Sequence, residues 1–187
     1  MALLHRATLT PTKSEVIAEW LPKQSWAARL PGLKPFGGYR LDDPAGEVGM
    51  EGMLLRSADG AVVVHVPLTY RAAPLEGAED HLVGTTEHSV LGTRWVYDAT
   101  GDPVWIATVT ATVLEGGTSA AEYFEVDGRR EPREPKAVAV GSGGSVLRPE
   151  VVVVHEVGTA PEGDAVLRGR WDGGEGVLVV VRSGGRR

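Results

Sequence analysis

The sequence of 187 residues contains no cysteine. Disulfide bonds, thiolate nucleophiles, iron–sulfur clusters and cysteine-ligated zinc sites are therefore excluded. No apolar run approaches the roughly 20 residues needed to span a bilayer, and the first residues lack the apolar core of a signal peptide. These features predict a cytoplasmic protein, because a cysteine-free chain fits a reducing compartment.

Aromatic residues are also few, at 6%, and only 2 phenylalanines are present. With 42% hydrophobic and 24% charged residues, the chain has the composition of a soluble globular protein. Its 25 glycines and 12 prolines favour many turns and short strands. The length accommodates one ordinary domain, or one domain with an appendage.

The net charge of −6 is unevenly distributed along the chain. Residues 1–40 carry six Lys or Arg against two Asp or Glu, residues 41–127 three against fifteen, and residues 128–187 ten against eight. The acidic middle segment repels phosphate backbones and disfavours nucleic-acid binding. The basic N-terminal segment either binds an anionic partner, docks on the acidic middle, or is ordinary solvated surface.

One helix is predicted near the N-terminus, after an apolar strand over residues 2–10 that Pro11 ends. Thr12 and Glu15 have the spacing of a capping box. Val16, Ile17, Trp20 and Leu21 then fall on one helical face, and Pro22 ends the helix.

Strands are predicted to follow from Val48 onward. Gly49 to Ser57 and Ala61 to Tyr70 indicate a hairpin around Asp59-Gly60. Further strands are predicted over 81–91, 94–98 and 104–114, the last because of its β-branched residues. The fold class is therefore α+β and mostly β, with one helix packed on an antiparallel sheet.

The C-terminal third begins with a polar stretch, residues 127–137, that predicts a loop. Gly141 to Ser145 follows as a flexible connector. Strands are predicted over 151–155, 165–171 and 177–182, with a frayed tail over 183–187. They form a small β appendage or extend the first sheet.

Few residues have the spacing of a catalytic site. The five histidines (His5, His65, His81, His88 and His155) form no metal-ligand motif. Glu87 and His88 are adjacent in a predicted strand and so point to opposite faces, which favours a structural role for His88. The Gly-Ser stretch lacks the Walker A lysine, and no GxSxG nucleophile elbow occurs.

The aromatic residues are the better candidates for binding. Their rings can stack on sugar faces or anchor a protein interface, although Trp20 and Trp95 can equally fill the core between helix and sheet. The residues in question are Trp20, Trp26, Tyr39, Trp95, Tyr97 and Trp105.

The segment Trp20-Leu21-Pro22-Lys23-Gln24-Ser25-Trp26 resembles the start of actinobacterial maltokinases. The likeness returns at His81 to Gly84, at Trp95 to Ala99 and at Asp102-Pro103, and covers about residues 1–125. It implies a maltokinase N-terminal cap, in which a helix packs on a curved antiparallel sheet, cystatin-like in outline. The variant found here, with His5 to Leu9 leading into Pro11-Thr12-Lys13, is similar to short stand-alone proteins described as maltokinase N-terminal cap-like.

The chain departs from the full kinases after this segment. The resemblance would place an ATP-contacting lysine in a strand near Val151 to His155, where valines occur, and no catalytic-loop pattern follows. Phosphoryl transfer needs positioned carboxylates and metal ions around the phosphates. The sequence therefore predicts no kinase activity, no catalytic residue, no metal site and no cofactor.

The predicted units are a cap-like domain over 1–126, a linker over 127–145 and a β-hairpin extension over 146–187. The first hypothesis is a non-catalytic binding or regulatory module of maltose, trehalose or glycogen metabolism, with a protein of that metabolism or a second copy of the chain as partner. The alternatives are a small enzyme or small-molecule binder with a pocket on the sheet face, and a purely structural subunit. Neither nucleic acid nor membrane is expected as a partner. The candidate binding residues are Trp20, Gln24, Trp26, His88, Trp95, Tyr97 and Asp98.

Overall fold

A computed structural model describes residues 2–4, 7–126 and 129–185. Its helices are α1 (Lys13–Trp20) and α2 (Pro103–Leu114). The strands, in chain order, are β1 (Ala2–Leu4), β2 (Leu9–Thr10), β3 (Lys34–Leu41), β4 (Gly49–Arg56), β5 (Val63–Arg71), β6 (Leu82–His88), β7 (Gly92–Asp98), β8 (Glu122–Val126), β9 (Arg129–Arg133), β10 (Ala137–Gly141), β11 (Pro149–Val153), β12 (Ala165–Trp171) and β13 (Gly174–Ser183). His5, Arg6, Asp127, Gly128 and residues 186–187, on which parts of the predicted first strand, loop and tail fall, lie outside the described residues.

The largest sheet is antiparallel and six-stranded, in the order β2-β6-β7-β5-β4-β3. It curls into a half-barrel. The predicted hairpin around Asp59-Gly60 is part of this sheet, where β4 and β5 pair from Gly49↔Tyr70 to Arg56↔Val63. The predicted α+β, mostly β fold class is confirmed.

The C-terminal strands form a sheet of their own rather than extending the first one. Their order is β10-β12-β13-β11, all antiparallel. A bridge between Val64 and Glu156 connects this part of the chain to β5. A third, three-stranded sheet has the order β1-β8-β9.

Helix α1 begins as the sequence predicts. The Thr12 side chain accepts a hydrogen bond from the Glu15 N–H, and the Glu15 carboxylate accepts one from the Thr12 N–H at 2.7 Å. Ile17 and Trp20 are buried against one face of the six-stranded sheet, in a cluster with Leu55 and Val66. The sequence predicts this packing of one helix on the antiparallel sheet.

The predicted strand over 104–114 is wrong, because these residues form α2. Asp102 caps the helix by accepting a hydrogen bond from the Val104 N–H, and Pro103 occupies its first turn. Trp105, Val109 and Val113 lie four residues apart and are buried along one face. The strand was predicted from β-branched residues, but a largely apolar, buried helix can contain the same residues.

Three further expectations need correction. The single strand predicted over residues 2–10 is wrong, because β1 and β2 belong to different sheets, and β9 occupies residues 129–133 of the predicted polar loop. Strands β3, β8 and β10 have no counterpart in the prediction. The Gly-Ser stretch does connect β10 to β11, but it is fastened to neighbouring elements. The Gly143 and Gly144 N–H groups donate to the Val113 and Leu114 carbonyls, and the Ser142 N–H donates to Val166.

Two apolar clusters place the six-stranded sheet in the middle of the molecule. One face packs on α1. The other face, through Tyr39 and Leu54, packs on Trp105 of α2 and on Leu167 and Leu178 of the C-terminal sheet. Within the described residues, no helix combines the length and apolar character that a bilayer span requires.

Candidate functional site

Glu51 is a charged residue on the face of the sheet that packs on α1. In β4 it shares a face with Met53 and Leu55, the side of the sheet that carries α1. Its side chain retains only 16% exposure. A buried carboxylate must be paired, so its partners determine the chemistry of this part of the sheet.

The partners of Glu51 come from three different elements. The ammonium group of Lys13, at the start of α1, donates to Glu51 Oε2. The Tyr70 hydroxyl on β5 donates to the same oxygen at 2.9 Å, and an Arg40 nitrogen on β3 lies 3.5 Å away. These four residues, Lys13, Arg40, Glu51 and Tyr70, are called the Glu51 cluster below.

Burial and charge oppose each other within the Glu51 cluster. Burial raises the pKa of Glu51, but the charges of Lys13 and Arg40 and two hydrogen bonds outweigh it and lower the pKa to about 2. Burial lowers the pKa of Lys13, and burial and the Glu51 charge together raise the pKa of Tyr70. Glu51 is therefore ionised at neutral pH, and its carboxylate lies beside the Lys13 and Arg40 side chains.

A cavity of about 520 Å³ opens beside the Glu51 cluster. We call it the first cavity. Lys13, Arg40 and Tyr70 contribute to its wall, and His88 and Arg94 come from β6 and β7 at its other side. Its volume lies in the range of pockets that hold small molecules.

The charges around the first cavity are balanced. Among the described residues, three cationic side chains (Lys13, Arg40 and Arg94) and three carboxylates (Asp42, Asp43 and Glu47) line it. Apolar side chains complete the wall, among them Leu9 and Leu91. Such a lining, in which Lys13 and Arg40 are also paired with Glu51, offers both donors and acceptors and has no excess of positive charge. This arrangement suits an uncharged ligand with several hydroxyl groups.

The loop that carries these carboxylates is itself well defined. The Asp43 carboxylate accepts hydrogen bonds from the N–H groups of Ala45, Glu47 and Val48 at 2.9–3.0 Å. Burial tends to raise the pKa of Asp43, but these bonds outweigh it and lower the pKa below the usual value. Asp43 thus holds the loop, while Glu47 is exposed at the cavity.

Comparison with protein families relates one segment of this chain to a known domain. Residues 20–102 match the family described as maltokinase N-terminal cap domain. This segment resembles a maltokinase cap. No curated protein matches the chain.

The cap-like segment, residues 20–102, contains β3 to β7 and therefore most of the first cavity. Arg40, Tyr70, His88 and Arg94 lie within it. Lys13 precedes the segment, and α2 and the C-terminal sheet follow it. The cavity is thus completed by α1 from outside the matched residues.

His88 is the one predicted binding residue that lines the first cavity. Its Nδ1 accepts hydrogen bonds from the Val90 and Leu91 N–H groups at 3.2 and 3.1 Å, which leaves the proton of the neutral ring on Nε2. The ring therefore holds the β6–β7 turn and also contributes to the cavity wall. Glu87 points away and accepts a hydrogen bond from the Thr93 hydroxyl at 2.7 Å.

Trp20, Gln24 and Trp26 lie together at the end of α1, away from the first cavity. Trp20 is 6% exposed and contacts Trp26 edge to face, with 5.9 Å between ring centroids. The half-buried Trp26 ring stacks on His155 at 4.0 Å, and Gln24 is also half-buried. Trp20 therefore fills the core between helix and sheet, which is one of the two roles that the sequence left open.

Trp95, Tyr97 and Asp98 occupy β7, with Trp95 and Tyr97 on the face opposite Val96. Tyr97 is 2% exposed, and its hydroxyl accepts a hydrogen bond from the Leu75 N–H at 2.9 Å. Asp98 is half-buried and accepts hydrogen bonds from the N–H and hydroxyl of Thr100. The seven predicted residues thus fall into three separate places.

Sequence reasoning missed most of the cavity wall. Lys13, Arg40, Tyr70 and Arg94 come from α1, β3, β5 and β7, so no short motif contains them. The one available signal was the contrast between a basic N-terminal segment and an acidic middle. Lys13 and Arg40 belong to the basic segment and pair with Glu51 of the acidic segment. Of the alternatives for the basic segment, these contacts agree with docking on the acidic middle.

Within the described part of the chain, no group of three or more His, Cys, Asp or Glu side chains is placed to hold a metal ion. The site is therefore described by its cavity and its charges.

Proposed function

We propose that this protein is a non-catalytic binding module that holds a neutral carbohydrate of the α-glucan class in the first cavity. The observation that carries the proposal is the balance of three cationic and three carboxylate side chains around a space of about 520 Å³. Charged groups of both signs hydrogen-bond hydroxyl groups well, and a similar number of each gives no strong preference for an ionic ligand.

The ligand class follows from the family likeness. The cap-like segment resembles a domain named after maltokinases, so maltose and related α-linked sugars are the first ligands to test. An association with maltose, trehalose or glycogen metabolism is the corresponding role. A cytoplasmic location, expected from the cysteine-free sequence, fits these metabolites.

A regulatory role through a protein partner has less support. The Trp26 ring, predicted as a contact residue, is already stacked on His155 within the molecule. A partner from glucan or trehalose metabolism, or a second copy of the chain, therefore stays a prediction from the sequence. Gln24, Trp95 and Asp98, which are half-buried, are the residues through which it would act.

Thermal unfolding with maltose, maltotriose and trehalose tests the proposal. A sugar at 100 times its Kd adds about 2.7 kcal/mol to the free energy of unfolding, which raises the Tm by about 5–10 °C for a chain of this size. We expect this shift with at least one of the α-linked sugars.

A matched pair of variants locates the binding. Glu47 is exposed at the first cavity, whereas Glu76 is exposed on a loop outside it. Glu47→Gln should weaken sugar binding and Glu76→Gln should not. Equal Tm shifts in both variants, or no shift with any of the sugars, would contradict the proposal.

A further inference from the structure

A second, smaller cavity lies on the other side of Lys13 and Arg40. Its volume is about 250 Å³, and it lies between α1, β3 and the strands β8 and β9. The two cavities share Lys13 and Arg40 but differ in the rest of their walls. We call this space the second cavity.

The second cavity carries an excess of positive charge. Of the residues that the structure describes, four cationic side chains line it (Lys13, Arg40, Arg133 and Lys136), against two carboxylates, Glu51 and Glu122. This excess occurs in a chain whose net charge is −6. It is therefore a local feature of how the strands are arranged.

Three of these cations are already partly neutralised. Lys13 and Arg40 pair with Glu51, and Arg133 pairs with Glu122 at 3.4 Å. Glu51 is half-buried at 16% exposure and Glu122 is buried at 6%, so both carboxylates are held in place. Lys136 is exposed and pairs with no carboxylate among the described residues.

Several features make the cavity accessible to a small ion. Arg133 keeps 40% of its side chain exposed while it contacts Glu122, so its guanidinium has donors left for a ligand. Gly37 and Gly38, two consecutive residues of β3, add no side chains to the wall. The lining is thus polar, cationic and open at Lys136.

We propose that the second cavity binds an oxyanion of the phosphate class, held chiefly by Arg133 and Lys136. A guanidinium and an ammonium together supply several charge-assisted hydrogen bonds to the oxygens of such an anion. Lys13 and Arg40 add attraction from the buried side. The ligand is either the free ion or the phosphate group of a larger molecule, and both present the same oxygens to the cavity.

Isothermal titration calorimetry with inorganic phosphate and with glycerol phosphate tests this proposal. Binding of both shows that the site takes a phosphate group on a larger molecule, and binding of inorganic phosphate alone assigns the site to the free ion. Either result supports an oxyanion site. Absence of binding for both at low ionic strength would overturn it.

Matched variants tie the binding to the second cavity. Lys136→Gln and Arg133→Gln should each weaken phosphate binding by about 10- to 100-fold, because each removes hydrogen bonds to a charged group. Lys34→Gln and Arg129→Gln remove the same charges from exposed positions on β3 and β9 outside the cavity, and should leave binding unchanged. Equal losses in both pairs would show general charge attraction only and contradict the site.

Two readouts separate the possible failures. Arg133→Gln removes the ion pair with the buried Glu122, so the fold of this variant is checked by circular dichroism. The exposed Lys136→Gln gives the decisive result if Arg133→Gln does not fold. Sugar binding at the first cavity should persist in Lys136→Gln, so the two sites are tested independently.

Discussion

Gly52 and Tyr39 face each other across β4 and β3, and the tyrosine ring occupies the space beside the glycine. A Cβ atom at position 52 would lie 2.2 Å from two ring carbons of Tyr39. The ring cannot easily move away, because it is 1% exposed and its hydroxyl lies 3.0 Å from His65 Nε2. Position 52 therefore requires glycine, because the Tyr39 ring lies too close for any side chain.

Gly52→Ala should therefore lower the free energy of unfolding by about 3 kcal/mol or more, through overpacking and loss of the tyrosine hydrogen bond. Urea unfolding with an unchanged m-value measures this loss. Gly185→Ala is the control, since nothing lies within 4 Å of its added Cβ, and its change should stay within about 0.5 kcal/mol. A loss below about 1 kcal/mol for Gly52→Ala would show that the ring has room to shift.

Asp102 shows at the residue scale what the sequence could and could not predict. Asp102-Pro103 is a helix start signal, and the structure uses it for α2. The carboxylate also pairs with Arg71 of β5 through two contacts of 2.7 Å, which no local pattern in the sequence indicates. The sequence thus contains the start signal of α2, which the strand predicted over 104–114 did not use, whereas the contact between Asp102 and β5 depends on tertiary structure.

At the scale of elements, β5 and the segment after β11 are joined through two histidines. The His65 N–H donates to the His155 carbonyl at 2.8 Å, and His155 Nδ1 donates to the His65 carbonyl at 3.0 Å. His65 Nδ1 donates to the Leu178 carbonyl of β13 at 3.1 Å, so its Nε2 accepts from the Tyr39 hydroxyl. The neutral His65 ring is thereby fully hydrogen-bonded.

This arrangement makes stability depend on pH. Burial, with a smaller effect from His155, lowers the pKa of His65 to about 3, and burial also lowers the pKa of His155. Between pH 6.5 and 3 the unfolded chain binds a proton at position 65 that the folded protein does not bind. The contribution of the neutral, buried His65 ring to the free energy of unfolding is therefore complete above pH 6.5, and it is lost as the pH falls towards 3.

We expect the free energy of unfolding to fall below pH 6.5, by up to about 1.4 kcal/mol per pH unit for His65 alone. Urea unfolding at a series of pH values measures the slope. His65→Gln should show a shallower slope over the same range. A slope that is identical in the wild type and in this variant would contradict the role of His65.

Sequence reasoning succeeded for elements with local signals. The capping box of α1 and the Asp59-Gly60 hairpin are both confirmed. The strand predicted over 104–114 failed because a buried helix and a buried strand can share the same apolar composition. A loop was predicted in place of strand β9, because every residue of β9 is exposed and no hydrophobic pattern marks it. Its pairing with β8 defines the strand.

At the scale of the whole molecule, the six-stranded sheet separates two environments. One face is covered by α2 and the C-terminal sheet, which share a single apolar cluster with it. The other face carries α1 and the Glu51 cluster, with a charge-balanced cavity on one side and a cationic cavity on the other. The limits of the three units predicted from the sequence, at residues 126 and 145, stay a prediction.

The candidate site could not be found from the sequence, because its side chains are far apart along the chain. Its side chains come from α1, β3, β5, β6 and β7, and only the order of the curled sheet brings them together. His88 was singled out from the sequence for its neighbour Glu87. The structure instead relates it to Arg94 and Tyr70, which line the same cavity.

The central claim is that the first cavity is the carbohydrate site, and an amide chemical-shift titration with maltose tests it most directly. We predict saturable shifts concentrated on the cavity wall, at Val48, Gly49, Leu91 and Arg94. Ala7→Phe, which places a large ring at the cavity, should abolish these shifts, whereas Ala73→Phe at an exposed loop position should not. Shifts centred on Trp26 and His155 or on the C-terminal sheet, or no shifts at all, would contradict the claim.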